Sequence, residues 1–142
     1  YYYRVRAEAA ASLSRLAGAE LEDNRALARL FQLLRERAYH EGQVAPNDFA
    51  NLAEYHVLKA LVEAVGACKD AAGVTPPEAL ELLLELLDDN DNSQNEYDDG
   101  HYLGALLLLL GGTHSTDAED TAAIVSQVRR HLQLDRLGHS PQ

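Results

Sequence analysis

One stretch restricts the fold more than any other: residues 78–112, EALELLLELLDDNDNSQNEYDDGHYLGALLLLLGG. Its first part carries Leu80, Leu82, Leu83, Leu84, Leu86 and Leu87, with acids at Glu78, Glu81, Glu85 and Asp88. Those acids fall at i, i+3, i+7 and i+10, so a helix here has a single wet edge. Its last part, Leu103–Leu110, is apolar all round, and a helix of that kind must be covered on more than one face. Between them, Asp88–Asp99 holds six acids and three asparagines in twelve residues, too polar and turn-prone to continue either helix. The unit is helix, acidic loop, buried helix.

At 142 residues and 46% hydrophobic, the chain is long enough for one core of ordinary size, so residues 1–142 are expected to form a single domain. With no methionine and the opening YYYRVR, it reads as a segment of a longer protein. It contains no run of eighteen uncharged apolar residues and no charged-then-apolar leader, so neither a membrane span nor a signal peptide is expected. Cys68 is the single cysteine and fits a small buried hydrophobe in a reducing compartment such as cytosol or nucleus.

The net charge of −11 is unevenly spread: residues 1–40 carry +2, residues 41–142 carry −13. Displacing counterions from a duplex needs several basic side chains on one surface. Nothing after Glu41 offers that, and duplex binding by this segment alone is not expected.

The remaining periodicity gives four more helices. Arg4–Ala17 is alanine-rich, with Val5, Ala9, Leu13 and Leu16 on its expected inner stripe and Gly18 at its stop. Asn24 is placed to cap a second helix ending near Tyr39, with Leu27, Leu30, Phe31 and Leu34 inward and Arg25, Arg29, Gln32 and Glu36 outward. HEGQVAPND reads as a loop, after which Asp48 can cap a third helix running through Leu52, Tyr55, Leu58, Leu61, Val62 and Val65 to Gly66. Thr75-Pro-Pro-Glu78 combines a cap hydroxyl, first-turn prolines and a capping-box glutamate at the start of the fourth. The leucine block is the fifth, capped by Asp98 or Asp99, and the sixth covers residues 117–134 with Ile124, Val125, Val128 and Leu132 as its stripe. No segment alternates with period two, so the fold class is all-α.

A weak internal repeat bears on how six helices stack. Residues 54–66 align with 99–111 at an offset of 45, pairing His56 with His101, Leu61 with Leu106 and Gly66 with Gly111. The first helix follows at an offset of 48, with Leu13 under Leu61. Helix pairs repeating every ~40–47 residues characterise HEAT and armadillo arrays. The first, third and fifth helices then form an inner row, and the second, fourth and sixth an outer one. A closed bundle of the same helices is the alternative.

The search for chemistry finds little. The six histidines form no HExxH or i, i+4 pair, and Cys68 has no CxxC partner. His56 and His101, on adjacent layers, are expected to pack or cap, with a shared metal as the alternative. No nucleotide-binding or nucleophile-elbow motif occurs. The acidic loop suggests calcium, but no register supplies the glycine at position six and glutamate at position twelve of an EF-hand loop. Asn90, Asn92 or Asn95 is expected to close Asx turns, with Asp98 or Asp99 capping the fifth helix. The Tyr1-Tyr2-Tyr3 run could stack bases, although packing against a preceding repeat suits its position better. No catalytic, cofactor-binding or metal-binding residues are assigned. Asp91, Asn92, Asn95, Glu96 and Asp98 are the candidate partner-contact residues.

Taken in order, YYYRVRAEAAASLSRLA, LFQLLRERAYHEG, PNDFANLAEYHVLKAL, LLELLDDNDNSQNEYDDGHYLGALL and VRRHLQLDRL resemble the HEAT-repeat region of the TFIID subunit 2 family across essentially the whole chain. PNDF, NDNSQNEYDD and LDRL are the most specific pieces, because helical period does not require their polar residues. The resemblance implies a nuclear TBP-associated factor, a non-catalytic scaffold in promoter recognition by RNA polymerase II and in pre-initiation complex assembly. It implies other TFIID subunits as partners, promoter DNA only through the whole complex, and no membrane, small-molecule substrate or cofactor. The alternative is the helical C-terminal domain of a zinc aminopeptidase, which an intact HExxH helix upstream would indicate.

Overall fold

The computed structural model describes residues 2–17, 25–91, 95–97, 99–115 and 117–138, with side chains at 132 and 134–138 excepted. Gly18, Asn24, Asn92 and Asp98, and the side chain of Leu132, therefore lie outside what is described. Six helices are present among the described residues: α1 (Tyr3–Ala17), α2 (Arg25–Ala38), α3 (Leu52–Gly66), α4 (Pro77–Asp88), α5 (Gly100–Gly111) and α6 (Ala118–Gly138).

Their packing is that of a two-row array. α3 lies between α1 and α5 to form one row; α2 packs on α1 and α3, α4 on α3 and α5, and α6 on α4 and α5 to form the other. Loops α2–α3 and α4–α5 consequently meet on one rim, and loops α3–α4 and α5–α6 on the opposite rim. The fold is the expected α-solenoid of helix pairs.

The core follows the leucine periodicity. Leu27, Leu30 and Leu34 of α2 are buried, while Arg25, Arg29, Gln32 and Glu36 are exposed. α4 buries Leu80, Leu82, Leu83, Leu86 and Leu87 and keeps Glu78, Glu81, Glu85 and Asp88 in water. α5 is covered by α3, α4 and α6, with Leu106 and Leu110 fully buried and Leu103 half-buried. The expected cover on more than one face is therefore found, and Leu108 alone of the α5 leucines is largely open, at 80% exposed. A helix in the inner row keeps one face free for solvent, and Leu108 occupies the position that Glu63 occupies on α3.

The repeat register appears directly in the packing. Leu61 and Leu106, paired by the 45-residue offset, are both buried. Gly66 has no side chain because α5 comes too close: a Cβ there would lie 2.8 Å from a terminal methyl of Leu109.

The stripe expected on α1 is wrong. Val5, Ala9 and Leu16 are exposed and Leu13 is half-buried, whereas Ala10, Ser14 and Ala17 are buried. In a segment this rich in alanine, the face chosen is the one whose small side chains let α1 approach α3 closely, not the one with the largest residues. On α6, Ile124 and Val128 are half-buried but Val125 is 41% exposed.

Two further local expectations are corrected. The α2–α3 connection is not wholly irregular: Tyr39–His40 (β1) and Gln43–Val44 (β2) pair antiparallel, Tyr39 opposite Val44. Glu41 and Gly42 both have positive φ, at 53° and 83°, which suits the two-residue turn of a right-twisted hairpin. α3 begins one turn later than Asp48 would start it. Asn51 is its cap, with its side-chain oxygen accepting from the Glu54 amide at 3.3 Å, while Asp48 closes a local turn onto the Ala50 amide.

Candidate interaction surface

The two most specific polar segments of the sequence meet on one rim. Asn47, from Pro46–Phe49, and Asp99, at the end of the acidic loop, are 4% and 6% exposed. The Asn47 side-chain amide donates to Asp99 Oδ2 at 2.7 Å, and that of Asn90 donates to the same oxygen at 3.4 Å. The Tyr55 hydroxyl lies 3.5 Å from Asp99 Oδ1. Asn95 completes the clasp by donating to the main-chain oxygen of Asn47 at 2.9 Å. A buried carboxylate is tolerable only among convergent donors, and here loops more than forty residues apart in sequence supply them.

The geometry differs from a simple side-chain cap at Asp99. Asp99 does occupy the cap position of α5, its main-chain oxygen accepting from the amides of Tyr102 and Leu103, but its side chain makes no capping bond and turns inward. The side-chain amide of Asn95 reaches across to Asn47, whereas that of Asn90 bonds Asp99 within the same loop. Aromatic packing reinforces the join, the Phe49 ring lying 5.1 Å from Tyr55 and 6.1 Å from Tyr97. Of the candidate contact residues, Asp91 and Glu96 are exposed and Asn95 is half-buried against Asn47, while Asn92 and Asp98 lie outside the described residues. Tyr97, 61% exposed, adds an aromatic face beside Glu96 that sequence reasoning did not single out.

Burial and the neighbouring carboxylate also act on the tyrosines under this rim. Burial, then the charge of Asp99 and the hydrogen bond to it, push the Tyr55 hydroxyl up to about 12. Tyr102 is raised by burial and then by Asp99, and Tyr39 by burial and then by Glu85. A phenol whose folded pKa exceeds its unfolded value of about 10 contributes stability below pH 10 that is lost as the pH climbs toward the folded value. The melting temperature should therefore hold steady up to about pH 9.5 and fall steeply between about pH 10 and 12. In Tyr55→Phe that alkaline fall should be shallower, and an unchanged slope would show that Tyr55 is not held neutral.

The opposite rim has its own clasp. The Thr75 amide donates to the His114 main-chain oxygen at 2.9 Å, and the His114 amide donates to Thr75 Oγ1 at 3.1 Å. Lys69 Nζ donates to Thr75 Oγ1 at 2.6 Å and to the Gly112 oxygen at 3.3 Å. Thr75 therefore does not cap α4 as expected; Pro76 holds the cap position without a side-chain bond, and the threonine joins layers instead. Beneath it, burial raises the Cys68 thiol to about 11, and the thiol donates to the Ala64 oxygen.

Grooves run along the open face of the inner row. One, of about 660 Å³, separates α1 from α3 beside Arg4, Arg15, His56 and Lys59; the next, of about 470 Å³, separates α3 from α5 beside Lys59, His101 and Leu108. His56 is exposed and stacks on Tyr3 at 5.2 Å, a packing role; His101 is exposed as well. Among the described residues no three His, Cys, Asp or Glu side chains gather as a metal site would require, and no helix is long and apolar enough to cross a membrane.

Two rows of antiparallel helices, clasped loop to loop at both rims, define a helical-repeat protein. The chain belongs to the family described as TAF2-like, TPR repeats, which matches residues 1–139. It is similar to transcription initiation factor TFIID subunit 2 of Schizosaccharomyces pombe, 36% identical over 108 residues, covering 75% of this chain and 9% of that protein. The subunit of the same name from Drosophila melanogaster is 28% identical over 153 residues, covering 95% of this chain and 12% of the relative. The Gallus gallus protein is 24% identical over 107 residues, 66% of this chain and 9% of its own length. The chain thus spans about a tenth of the length of these curated relatives. No solved structure matches it. The family description names tetratricopeptide repeats, whereas the offsets of 45 and 48 residues resemble HEAT spacing; both are arrays of antiparallel helix pairs.

Proposed function

We propose that this chain is a non-catalytic scaffold segment of the general transcription factor TFIID, acting in the nucleus in RNA polymerase II promoter recognition and pre-initiation complex assembly. The observation that carries this reading is the acidic loop itself. It belongs to a TAF2-like repeat and is joined to Pro46–Phe49 by Asp99 and Asn95, and its Asp91, Glu96 and Tyr97 are exposed. An acidic edge anchored at Asn95 and Asp99 can meet a basic patch on another TFIID subunit, where charge sets orientation and encounter rate more than affinity. Asp91, Asn92, Asn95, Glu96 and Asp98 form the contact loop in this reading. The loop serves a protein contact and is not a metal site, so millimolar calcium should give no binding heat.

Promoter DNA is reached through the assembled complex. Residues 41–142 carry −13, and the segment alone should bind no duplex at physiological salt. A submicromolar, steeply salt-dependent affinity would reverse that statement and direct attention to Arg4, Arg6, Arg25 and Arg29.

Replacing Asp91, Glu96 and Asp98 by their amides in the intact polypeptide tests the contact. Reduced co-purification of at least one other TFIID subunit is expected, with the melting temperature unchanged. Full recovery of every subunit would leave the loop a connector between two helices.

A further inference from the structure

The repeat register lays the open stripes of the inner row side by side. At offsets of 48 and 45 residues, Ala11 and Arg15 of α1, Lys59 and Glu63 of α3, and Gly104 and Leu108 of α5 are equivalent pairs, each one helical turn apart. On α3 the pair suits water, Lys59 Nζ donating to Glu63 Oε1 at 2.9 Å. On α1, Arg15 bonds Glu8 at 3.1 Å on the same surface. On α5 both charges are gone. A leucine stands 80% exposed where α3 has its glutamate, and a glycine stands where α3 has its lysine.

A single exposed leucine carries no message on a protein surface. Gly104 does, because glycine inside a helix forfeits helix propensity relative to every residue but proline, and nothing within the chain requires it: an added Cβ there would meet no atom within 4 Å. Gly66 is the contrast, since a Leu109 methyl lies 2.8 Å from where its Cβ would be. The notch at Gly66 is filled by α5. The notch at Gly104 opens into the groove of about 470 Å³ between α3 and α5, with Leu108 as a knob beside it.

Charge limits what can lie there. The grooves on this face are bordered by Arg4, Arg15 and Lys59 against Glu8 and Glu63, with His56 and His101 exposed beside them, although the whole chain carries −11. Both acids are already paired, with Arg15 and Lys59. A basic partner would therefore find no unmatched carboxylate among these lining residues, whereas an acidic one meets Arg4 and two imidazoles. We propose that the α3–α5 groove docks an amphipathic helix of another polypeptide, with an apolar side chain of that helix seated at Gly104 against Leu108 and with an acidic polar edge. Apolar residues at three- and four-residue spacing on such a helix match the single-turn spacing of notch and knob. This docking requires neither the acidic-loop contact nor membership of TFIID, because it uses other residues.

Photo-crosslinking tests it in complexes purified through the tagged full-length polypeptide, with Leu108→p-benzoylphenylalanine as the probe and Glu81→p-benzoylphenylalanine, on the wet edge of α4, as the background. The adduct at 108 is expected on another polypeptide, in a segment with apolar residues at helical spacing and more acidic than basic residues, at a yield at least about five-fold above that at 81. Adding Gly104→Lys, which supplies the residue α3 has at this position, should cut that yield at least about five-fold and leave the melting temperature unchanged or higher. Adducts confined to the same polypeptide, adducts to a second copy or to a basic segment, or a yield no greater than at 81 would each overturn the proposal. So would a yield indifferent to Gly104→Lys, or a fall in melting temperature on that substitution, which would make Gly104 a requirement of the fold.

Discussion

Leu106→Ala should lower the unfolding free energy by about 2–5 kcal/mol, whereas Glu81→Ala should change it by less than about 0.5 kcal/mol. Leu106 is fully buried on α5, which packs against α3, α4 and α6, and removing its isopropyl group leaves a cavity among helices already pinned at both rims. Collapse into that space would require the clasps to move, which places the expected loss in the upper part of the range for leucine truncation. Glu81 projects into water from the opposite edge of the same array. Chemical denaturation of the two variants with equal slopes gives the comparison, and equal midpoint shifts would contradict the assignment of inner and outer faces.

A loss of similar size is expected at the rim. Asp99→Ala removes the acceptor shared by Asn47 and Asn90 and faced by Tyr55, and Asn47 is only 4% exposed, so water cannot readily replace it. Stranding buried donors in this way costs about 1–3 kcal/mol, and more when the lost partner is charged, so about 2–4 kcal/mol is expected. Asp99→Asn retains one acceptor oxygen and should cost less. Asp91→Ala, on the exposed part of the same loop, should cost under about 0.5 kcal/mol. If Asp99→Ala and Asp91→Ala melted alike, the carboxylate would not be the pin that joins the two loops.

What the sequence reveals and what it hides divides along physical lines. The faces of α2 and α4 were legible because large leucines and charged residues contrast sharply at helical spacing. The two-row order was legible because Gly66, Gly111, Leu61 and Leu106 recur in register. The face of α1 was not, since its packing depends on how closely alanines and Ser14 let two helices approach, and hydrophobic contrast carries no such information. Side-chain capping bonds gave way where the residue had a better partner in the next layer: Thr75 bonds His114, and the side chain of Asp99, although at the cap position of α5, bonds Asn47. Local rules place a cap by position along the chain, and neither partner is local. The acidic loop could be singled out as a feature from its composition, but its join to Asn47 could not. The one available signal was that PNDF and NDNSQNEYDD both hold polar residues the helical pattern leaves unexplained.

The scaffold reading rests on this segment lying among other subunits in an assembled complex. Cross-linking mass spectrometry of complexes purified through the tagged full-length polypeptide addresses this most directly. Carboxylate-to-lysine chemistry can report on Asp91 and Glu96, which are exposed on the rim. The account predicts that TFIID subunits co-purify and that Asp91 or Glu96 is joined to lysines of at least one of them. Recovery without TFIID subunits, or cross-links from this rim only to residues of its own polypeptide, would contradict it.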